Sequence, residues 1–306
     1  MRLAWLALAV AACTPGGADD TVDPFTPYTL GFTTGDFSVP SGTEMTRCLY
    51  TQIPADKDVE VVGYRAHMLK GSHHFNMYFT DASNPTIAGK PLDQLTTCDN
   101  GYKFYLAGSQ WQDIEQAIPE GLAIEVPAGS VMVLESHYVN TTDKPATGRV
   151  DVELDAGDPS KVHDKVGLYF NVMEKIQVDP GQKVRLRARC PVDDGVHVVL
   201  MTSHMHWHGS KFEINELDDA GATTPVYAST DYAHPTVTQL WDAPRTIAGK
   251  GHELEWACTY DNTTAETVYG GPSAEKDEMC IMAAFYWPKL TDQPYCLSDA
   301  VATAPQ

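Results

Sequence analysis

Residues 196–207 form an apolar segment that reads Val-His-Val-Val-Leu-Met-Thr-Ser-His-Met-His-Trp. The turn signal Asp193-Asp194-Gly195 precedes this segment, and Gly209 follows it closely. An apolar run bounded by turn residues is typical of a buried β-strand. Seven further short runs share this character: 58–62, 121–126, 131–138, 149–154, 184–190, 211–217 and 279–287. Their spacing is typical of a β-sandwich or barrel, so we predict an all-β protein.

The length of the chain predicts two domains. Turn signals separate the apolar runs at residues 127–129, 179–181 and 218–221, whereas the best helical pattern, at 110–117, is short. A chain of 306 residues exceeds the size at which one hydrophobic core keeps growing. The polar, turn-rich segment 155–164 divides it nearly in half. We therefore predict an N-terminal β-sandwich at residues 30–160 and a C-terminal β-sandwich at 161–306.

The charge balance excludes one large class of partner. The chain has 21 basic and 41 acidic residues, which gives a formal net charge of −20. A field of that sign repels phosphate backbones, so we do not expect nucleic-acid binding. Hydrophobic residues make up 43% of the chain, which is typical of a packed globular protein rather than a disordered one.

The N-terminus has the pattern of an export signal. Arg2 precedes an apolar stretch at residues 3–10 that is too short to span a membrane, and Cys13 follows two alanines. The pattern resembles a bacterial lipobox, in which Cys13 would carry the lipid anchor; the alternative is a plain signal peptide. We expect residues 1–13 to be a lipoprotein signal peptide and residues 14–29 a flexible tether. The expected location is the bacterial cell envelope, with the protein attached to a membrane.

Six cysteines remain when Cys13 is set aside. An exported protein with six cysteines is expected to form disulfides, but fifteen pairings are possible, so spacing alone does not choose one. The absence of a Cys-x-x-Cys pair argues against a zinc ribbon or a thioredoxin-type site. The six residues are Cys48, Cys98, Cys190, Cys258, Cys280 and Cys296.

The histidines cluster in a way that indicates metal binding. His204 and His206 are two residues apart in the apolar segment, so on a strand they share one face and can chelate one ion. His208 shares that face only if the strand continues. The adjacent pair His73 and His74 would point to opposite faces of a regular strand and needs an irregular backbone to bind one ion, with His137 as a distant third ligand.

Four motifs in order resemble one family. They are His73-His74, His137-Tyr138, His204-Met205-His206 with Gly209, and Asp277-Glu278-Met279-Cys280. From about residue 28 to 296 the chain resembles the copper type II, ascorbate-dependent monooxygenases, which include peptidylglycine α-hydroxylating and dopamine β-monooxygenases. On spacing alone Met279 would be core filler; the resemblance makes it a copper ligand.

The resemblance implies two copper ions per chain. His73, His74 and His137 match the ligands of the family's electron-storing copper. His204, His206 and Met279 match those of the copper that binds O2, and the softer thioether favours Cu(I). The implied fold is two consecutive jelly-roll β-sandwiches with a cleft between them. The implied disulfides are Cys48–Cys98, Cys190–Cys296 and Cys258–Cys280.

The resemblance also implies the reaction, which is hydroxylation of a substrate C–H bond with O2 and a one-electron reductant such as ascorbate. The peptide-hydroxylating member binds its substrate carboxylate through an Arg, an Asn and a Tyr, and these positions are Thr202, Ile281 and Ala283 here. Glu135 stands where that member has a glutamine. We therefore expect a small, apolar or neutral substrate other than a peptidylglycine.

Two other functions compete with this interpretation. A lipoprotein that holds or delivers copper without turnover would use the same ligands, although simple carriage needs only one site. A zinc hydrolase built on His204, His206 and His208 would leave His73, His74 and Met279 unexplained.

Overall fold

The structure is a computed structural model that describes residues 25–99, 104–240, 242–247, 251–290 and 295–303. The predicted signal peptide with Cys13, and most of the predicted tether, lie outside these residues. Nearly all regular structure is β; the helices in the described ranges are two short 3-10 turns, Pro85–Ile87 and Pro159–Lys161. The same ranges contain no helix with the length and hydropathy of a membrane span.

Thirteen strands lie in the first half of the described chain. They are β1 (Tyr28–Thr33), β2 (Phe37–Val39), β3 (Thr43–Gln52), β4 (Val59–Met68), β5 (Ser72–Thr80), β6 (Leu95–Thr96), β7 (Phe104–Ser109), β8 (Asp113–Ala117), β9 (Leu122–Val126), β10 (Val131–Asn140), β11 (Ala146–Gly148), β12 (Val150–Ala156) and β13 (Asp164–Lys165).

Thirteen more strands lie in the second half of the described chain. They are β14 (Gly167–Glu174), β15 (Gln177–Val178), β16 (Lys183–Pro191), β17 (Val196–Met205), β18 (Gly209–Leu217), β19 (Thr223–Ser229), β20 (Thr238–Gln239), β21 (Arg245–Ile247), β22 (Glu253–Asp261), β23 (Val268–Tyr269), β24 (Cys280–Trp287), β25 (Tyr295–Asp299) and β26 (Val301–Thr303).

Each half contains one six-stranded and one five-stranded sheet. In the first half the strand orders are β1-β12-β4-β9-β13, with β8 beside β4, and β6-β3-β10-β5-β7. In the second half they are β20-β17-β24-β14-β25, with β21 beside β17, and β19-β18-β22-β16-β26. Apolar side chains from both sheets of a half form one buried cluster, as in a β-sandwich. The all-β prediction is confirmed, while the jelly-roll order and the boundary at 160/161 stay predictions. Strand pairing changes from one half to the other between β13 and β14.

The two halves also share buried surface. Along β24, Met282, Ala284 and Tyr286 pack into the core of the second half, whereas Ala283 and Phe285 join the cluster centred on the first half. Successive side chains of a strand point to opposite faces, so β24 is apolar on both faces because both are covered. This explains why residues 279–287 read as a continuous apolar run.

Local sequence signals predicted the strands and turns correctly. All eight predicted strands are present, and each predicted turn ends in a glycine with positive φ: Gly129, Gly181, Gly195 and Gly221. Segment 110–117, which holds the best helical pattern of the sequence, forms no helix. Residues 113–117 form β8, in which Ile114 and Gln116 are more buried than their neighbours. This strand pairs with β4. That period-two pattern is a strand pattern.

Candidate metal centre

A β-bulge places His73 and His74 on one side of their sheet. In the pairing of β5 with β10, His74 is opposite His137 and Ser72 is opposite Tyr138, so His73 is an extra residue. Such a bulge interrupts the alternation of side chains along a strand. The ring centroids of His73 and His74 are 5.0 Å apart, and they lie 5.2 and 4.9 Å from that of His137. The irregular backbone that this pair requires is therefore present.

His204 and His206 come together at the end of β17. The predicted strand 196–207 is too long, since β17 ends at Met205 and His206 lies in the following turn. The turn is fixed by the buried carboxylate of Glu278, which accepts hydrogen bonds from the backbone N–H groups of His206 (3.0 Å) and His208 (2.8 Å). The rings of His204 and His206 are nevertheless neighbours, with centroids 5.1 Å apart.

The histidines of the two halves form one cluster. The ring centroid of His73 lies 5.3 Å from that of His204 and 5.4 Å from that of His206, and that of His74 lies 5.1 Å from that of His204. Ligand nitrogens of His73, His74 and His204 all lie within 4.8 Å of one another. The structure therefore brings the two predicted histidine sets into contact across the interface.

Four imidazole nitrogens in this cluster are buried and make no hydrogen bond within the described part of the chain. They are Nε2 of His73, Nδ1 of His74, Nε2 of His204 and Nε2 of His206. Buried polar atoms are normally satisfied, and unsatisfied nitrogens that converge from several side chains fit a metal ion. Imidazole suits copper in both oxidation states, so the donor set fits the metal that the sequence predicts.

Hydrogen bonds on the opposite ring nitrogens orient the two second-half histidines. Gln110 Oε1 lies 2.8 Å from His204 Nδ1, and the backbone oxygen of Asp277 lies 2.8 Å from His206 Nδ1. Gln110 Nε2 donates to the backbone oxygen of Tyr232, which sets the orientation of its amide. Since both oxygens are acceptors, Nδ1 of each histidine carries the proton and Nε2 presents its lone pair.

Burial keeps four imidazoles of the cluster neutral, those of His73, His137, His204 and His206. Burial, reinforced by neighbouring histidines, lowers the pKa of His73 and His204 well below the ordinary value of 6.5. Burial is also the main cause that lowers the pKa of His206, and it lowers that of His137 to about 4 although Glu44 opposes it. The neutral form is the one that binds metal ions, so the site is ready to bind metal at pH 7.

Glu44 connects the first histidine set to the loop before Met279. Its Oε1 lies 2.8 Å from His137 Nε2 and accepts the backbone N–H of Ala274, while Oε2 accepts the hydroxyl of Ser273. Burial alone would raise the pKa of Glu44, but these hydrogen bonds outweigh it and keep the pKa below the ordinary value. Glu44 occupies one ring nitrogen of His137, so only Nδ1 of that ring is left for a metal.

A cavity of about 230 Å³ adjoins the cluster. His74, His204 and Met279 line it, and so do all four positions suggested for substrate contact: Glu135, Thr202, Ile281 and Ala283. Met279 directly precedes β24, and Tyr260 donates a hydrogen bond to its backbone oxygen at 2.8 Å. The structure thus brings Met279 to the same cavity as two of the clustered histidines.

His208 does not extend the cluster. Its ring lies tilted against exposed Trp207, with centroids 3.5 Å apart, and it is not part of the group of converging ligand nitrogens. This arrangement does not favour the zinc hydrolase alternative, which requires His208 beside His204 and His206.

Sequence reasoning missed three residues that hold the site together: Glu44, Gln110 and Glu278. Glu278 stands in the motif that carries Met279. A charged residue directly beside a buried strand is a signal of a structural or functional role, because charged residues are rarely buried without partners. Glu44 and Gln110 come from distant strands and loops, and no local pattern distinguishes them from surface residues.

Two comparisons with known proteins bear on the family. Residues 168–304 match the C-terminal domain of the copper type II ascorbate-dependent monooxygenases. The chain is also 25% identical over 209 residues, 63% of its length, to MOXD1 homolog 1 of Drosophila melanogaster. Both matches support the copper type II, ascorbate-dependent monooxygenase family that the sequence resembles. Its match spans 29% of the length of that Drosophila relative.

The residues that match the family's C-terminal domain include His204, His206 and Met279, whereas His73, His74 and His137 precede them. The three disulfides implied by the resemblance are present: Cys48–Cys98, Cys190–Cys296 and Cys258–Cys280. The last of them begins directly after Met279 and joins β24 to β22 of the other sheet.

Two solved structures show a distant likeness to this chain. PNGase F, a glycosylasparaginase from Flavobacterium meningosepticum, is 10% identical with a TM-score of 0.34, covering 90% of this chain and 100% of its own. The PBSX exported protein XepA is 10% identical with a TM-score of 0.23, covering 84% of this chain and 86% of its own.

Proposed function

We propose that this chain is an exported dicopper monooxygenase that hydroxylates a C–H bond of a small substrate other than a peptidylglycine. The observation that carries the proposal is the convergence of five histidines beside a cavity that Met279 also lines. Four of these histidines have a buried nitrogen without a hydrogen bond in the described part of the chain. Copper, when bound, supplies the one-electron redox chemistry that O2 activation requires. Overall, R–H, O2, two electrons and two protons give R–OH and water, and ascorbate or a similar one-electron donor supplies the electrons.

Each half of the molecule supplies the ligands of one copper ion. His73, His74 and His137 hold one copper, and His204, His206 and Met279 hold the other. Gln110 and the Asp277 carbonyl keep the Nε2 atoms of His204 and His206 available, while Glu278 fixes the turn between them. These contacts fix ligand orientation before metal binding, which lowers the cost of assembling the site.

Export is the second part of the proposal. The apolar stretch before Cys13 supports a lipoprotein signal at residues 1–13 and a tether at 14–29, with a lipid anchor in the bacterial cell envelope. Three disulfides are in keeping with an oxidising compartment. The two ligand sets support domains at residues 30–160 and 161–306.

The first test is copper stoichiometry and O2 uptake of the chain lacking residues 1–13. We expect about two copper ions per chain, reduced by ascorbate, with catalysed O2 consumption. His137→Ala should lower the stoichiometry by about one ion, because it removes one of three ligands from a single site. His67→Ala is the control, since His67 pairs with Asp113 outside the cluster.

The outcomes separate the competing functions. Two coppers without O2 consumption on any substrate would support the copper-holding alternative. Met279→Leu should abolish turnover and weaken Cu(I) binding while the fold survives, and retained turnover would exclude its assigned role. One zinc ion and no copper would overturn the proposal.

A further inference from the structure

The cavity beside the histidine cluster lies between the two halves of the molecule. Its lining includes aromatic side chains from both: Tyr64, Tyr78, Tyr105, Trp111, Phe170 and Phe285. Leu168, Leu200 and Ile281 add aliphatic surface. A pocket of this kind gains binding energy from apolar contact and uses few polar groups for orientation.

The charge of the lining is one-sided. Among the described residues that line the cavity there is no lysine or arginine, and Glu135 is the acidic one. Asn76 Nδ2 donates to Glu135 Oε1 at 2.9 Å, and His74 Nε2 lies 3.8 Å from the same oxygen. An anionic ligand would have to leave water without a cationic side chain to pair with and approach this carboxylate, which is costly. The lining therefore selects against carboxylates and phosphates.

The volume limits the size of the ligand. A dry apolar cavity of about 150 Å³ accommodates benzene, a ring of six carbon atoms. A cavity of about 230 Å³ is larger by about half, which matches a body of roughly ten non-hydrogen atoms. Naphthalene, indole and phenylpropyl groups have this size.

We propose that the substrate of this enzyme is a neutral, largely apolar molecule with an aromatic or cyclic body of about ten non-hydrogen atoms. This inference rests on the proposed monooxygenase function. The hydroxylated carbon lies at the end of the cavity formed by His204 and Met279, and the apolar body lies between the aromatic walls.

One wall of the cavity sets the specificity. Thr202 of β17 is paired with Ala283 of β24, and His204 is paired with Ile281. These four residues form a patch at the end of the cavity that His204 and Met279 line. Ala283→Phe would add a ring inside the cavity and exclude the substrate. Thr202→Arg would place a cation opposite Ala283 and supply the charge that the lining lacks.

The test is equilibrium binding of a matched series to the metal-free chain lacking residues 1–13. The probes are 3-phenylpropanol, 3-phenylpropanoate and 3-phenylpropylammonium, which differ mainly in charge, and binding is measured by titration calorimetry. We expect the alcohol to bind at least tenfold more tightly than the carboxylate, and at least as tightly as the ammonium. Equal or tighter carboxylate binding, or tenfold tighter ammonium binding, would overturn the proposal.

Two variants place the binding in this cavity. Ala283→Phe should weaken alcohol binding at least tenfold, whereas Ala228→Phe, on exposed β19, should not change it. Thr202→Arg should raise the affinity for the carboxylate relative to the alcohol, which keeps the proposal testable if Ala283→Phe does not fold. Unchanged alcohol binding in folded Ala283→Phe, or no shift towards the carboxylate in Thr202→Arg, would contradict it.

Copper content and ascorbate-driven O2 uptake are measured on the same preparations. If copper is absent but the alcohol still binds preferentially, the proposed function fails and the cavity assignment stands. If copper and O2 uptake are normal but the alcohol has no preference, the substrate class is wrong and the proposed function stands.

Discussion

Gln110 is the residue through which the first half of the molecule acts on the second-half histidines. It lies after β7, accepts a hydrogen bond from His204 Nδ1 and donates one to Tyr232. Neighbours that orient a metal-bound histidine typically change metal affinity 10- to 100-fold when they are removed. The contact therefore ties ligand orientation to the interface between the halves.

Gln110→Ala should weaken copper binding at the His204 site by roughly 10- to 100-fold while leaving the stoichiometry at saturating copper unchanged. The reason is that the His204 ring loses the acceptor that fixes its protonated nitrogen. Competition titration with a copper chelator measures the change. Gln112→Ala, an exposed neighbour in the same turn, should have no effect, and an equal loss in both variants would point to a general disturbance of the turn.

At the scale of an element, alternation predicted most strands, because each half-buried or fully buried strand repeats its burial every two residues. The exceptions depend on partners distant in sequence. β17 ends two residues early because Glu278 takes the backbone N–H groups of His206 and His208. An irregular backbone at His73 is required if His73 and His74 bind the same metal ion, but the position of the bulge follows from the pairing of β5 with β10, which the local sequence does not show. Segment 110–117 has the best helical pattern of the sequence but contains β8, and it is too short for its period to be read from sequence alone.

The outer face of β16 carries a row of arginines that pair with Glu255 of β22. Arg187 Nη1 and Arg189 Nε donate to Glu255 Oε2 at 2.8 and 2.9 Å. Burial alone would raise the pKa of Glu255, but these hydrogen bonds outweigh burial and hold it below the ordinary value of 4.5. A carboxyl with a lowered folded-state pKa stabilises the protein above its unfolded-state pKa, and that contribution is lost as pH falls through the folded-state pKa.

Glu255→Gln should therefore lower the free energy of unfolding at pH 7 by about 1–3 kcal/mol. The difference from the parent protein should shrink as pH falls from about 4.5 towards the lower folded-state pKa, through which the parent carboxyl also becomes neutral. Urea unfolding at several pH values, with disulfides intact, measures this. Glu253→Gln is the control, since Glu253 is 40% exposed and 3.8 Å from Arg189. A difference that is constant with pH would contradict the assignment.

At the scale of the whole molecule, both halves contain the same corner. The sequence Tyr-x-Asn-Thr-Thr occurs at residues 138–142 and 260–264, at the end of the central strand of each five-stranded sheet. Asn140 Nδ2 donates to the backbone oxygens of Val39, Pro40 and Lys144, and Asn262 Nδ2 to those of Val178, Asp179 and Glu266. Both amides are committed to the fold, so neither Asn-x-Thr pattern is a free acceptor for glycosylation.

Asn140→Asp and Asn262→Asp should each destabilise the protein by about 3 kcal/mol, because each places a carboxylate against carbonyl oxygens that lose their donor. Thermal or urea unfolding of the two variants provides a matched pair. Thr141→Ala, at an exposed position between the corner residues, should have little effect. A neutral result for either aspartate variant would show that the two corners do not have the same role.

The interface between the halves predicts how the molecule unfolds. Val199, Leu200, Ala283 and Phe285 belong to the second half by sequence but pack in the core centred on the first half. Glu44 and Gln110 add hydrogen bonds across the same interface. Neither half can lose its structure without exposing this shared surface, so their unfolding is coupled.

Calorimetry of the metal-free protein should therefore show one transition, with equal calorimetric and van't Hoff enthalpies. Phe285→Ala removes a large buried side chain at the interface and should cost about 3–5 kcal/mol. Because the lost contacts join the halves, that variant should also broaden or split the transition. A core substitution within one half, Phe212→Ala, should lower the melting temperature and keep a single transition. Two resolved transitions in the parent protein would show that the shared surface does not couple the unfolding of the two halves.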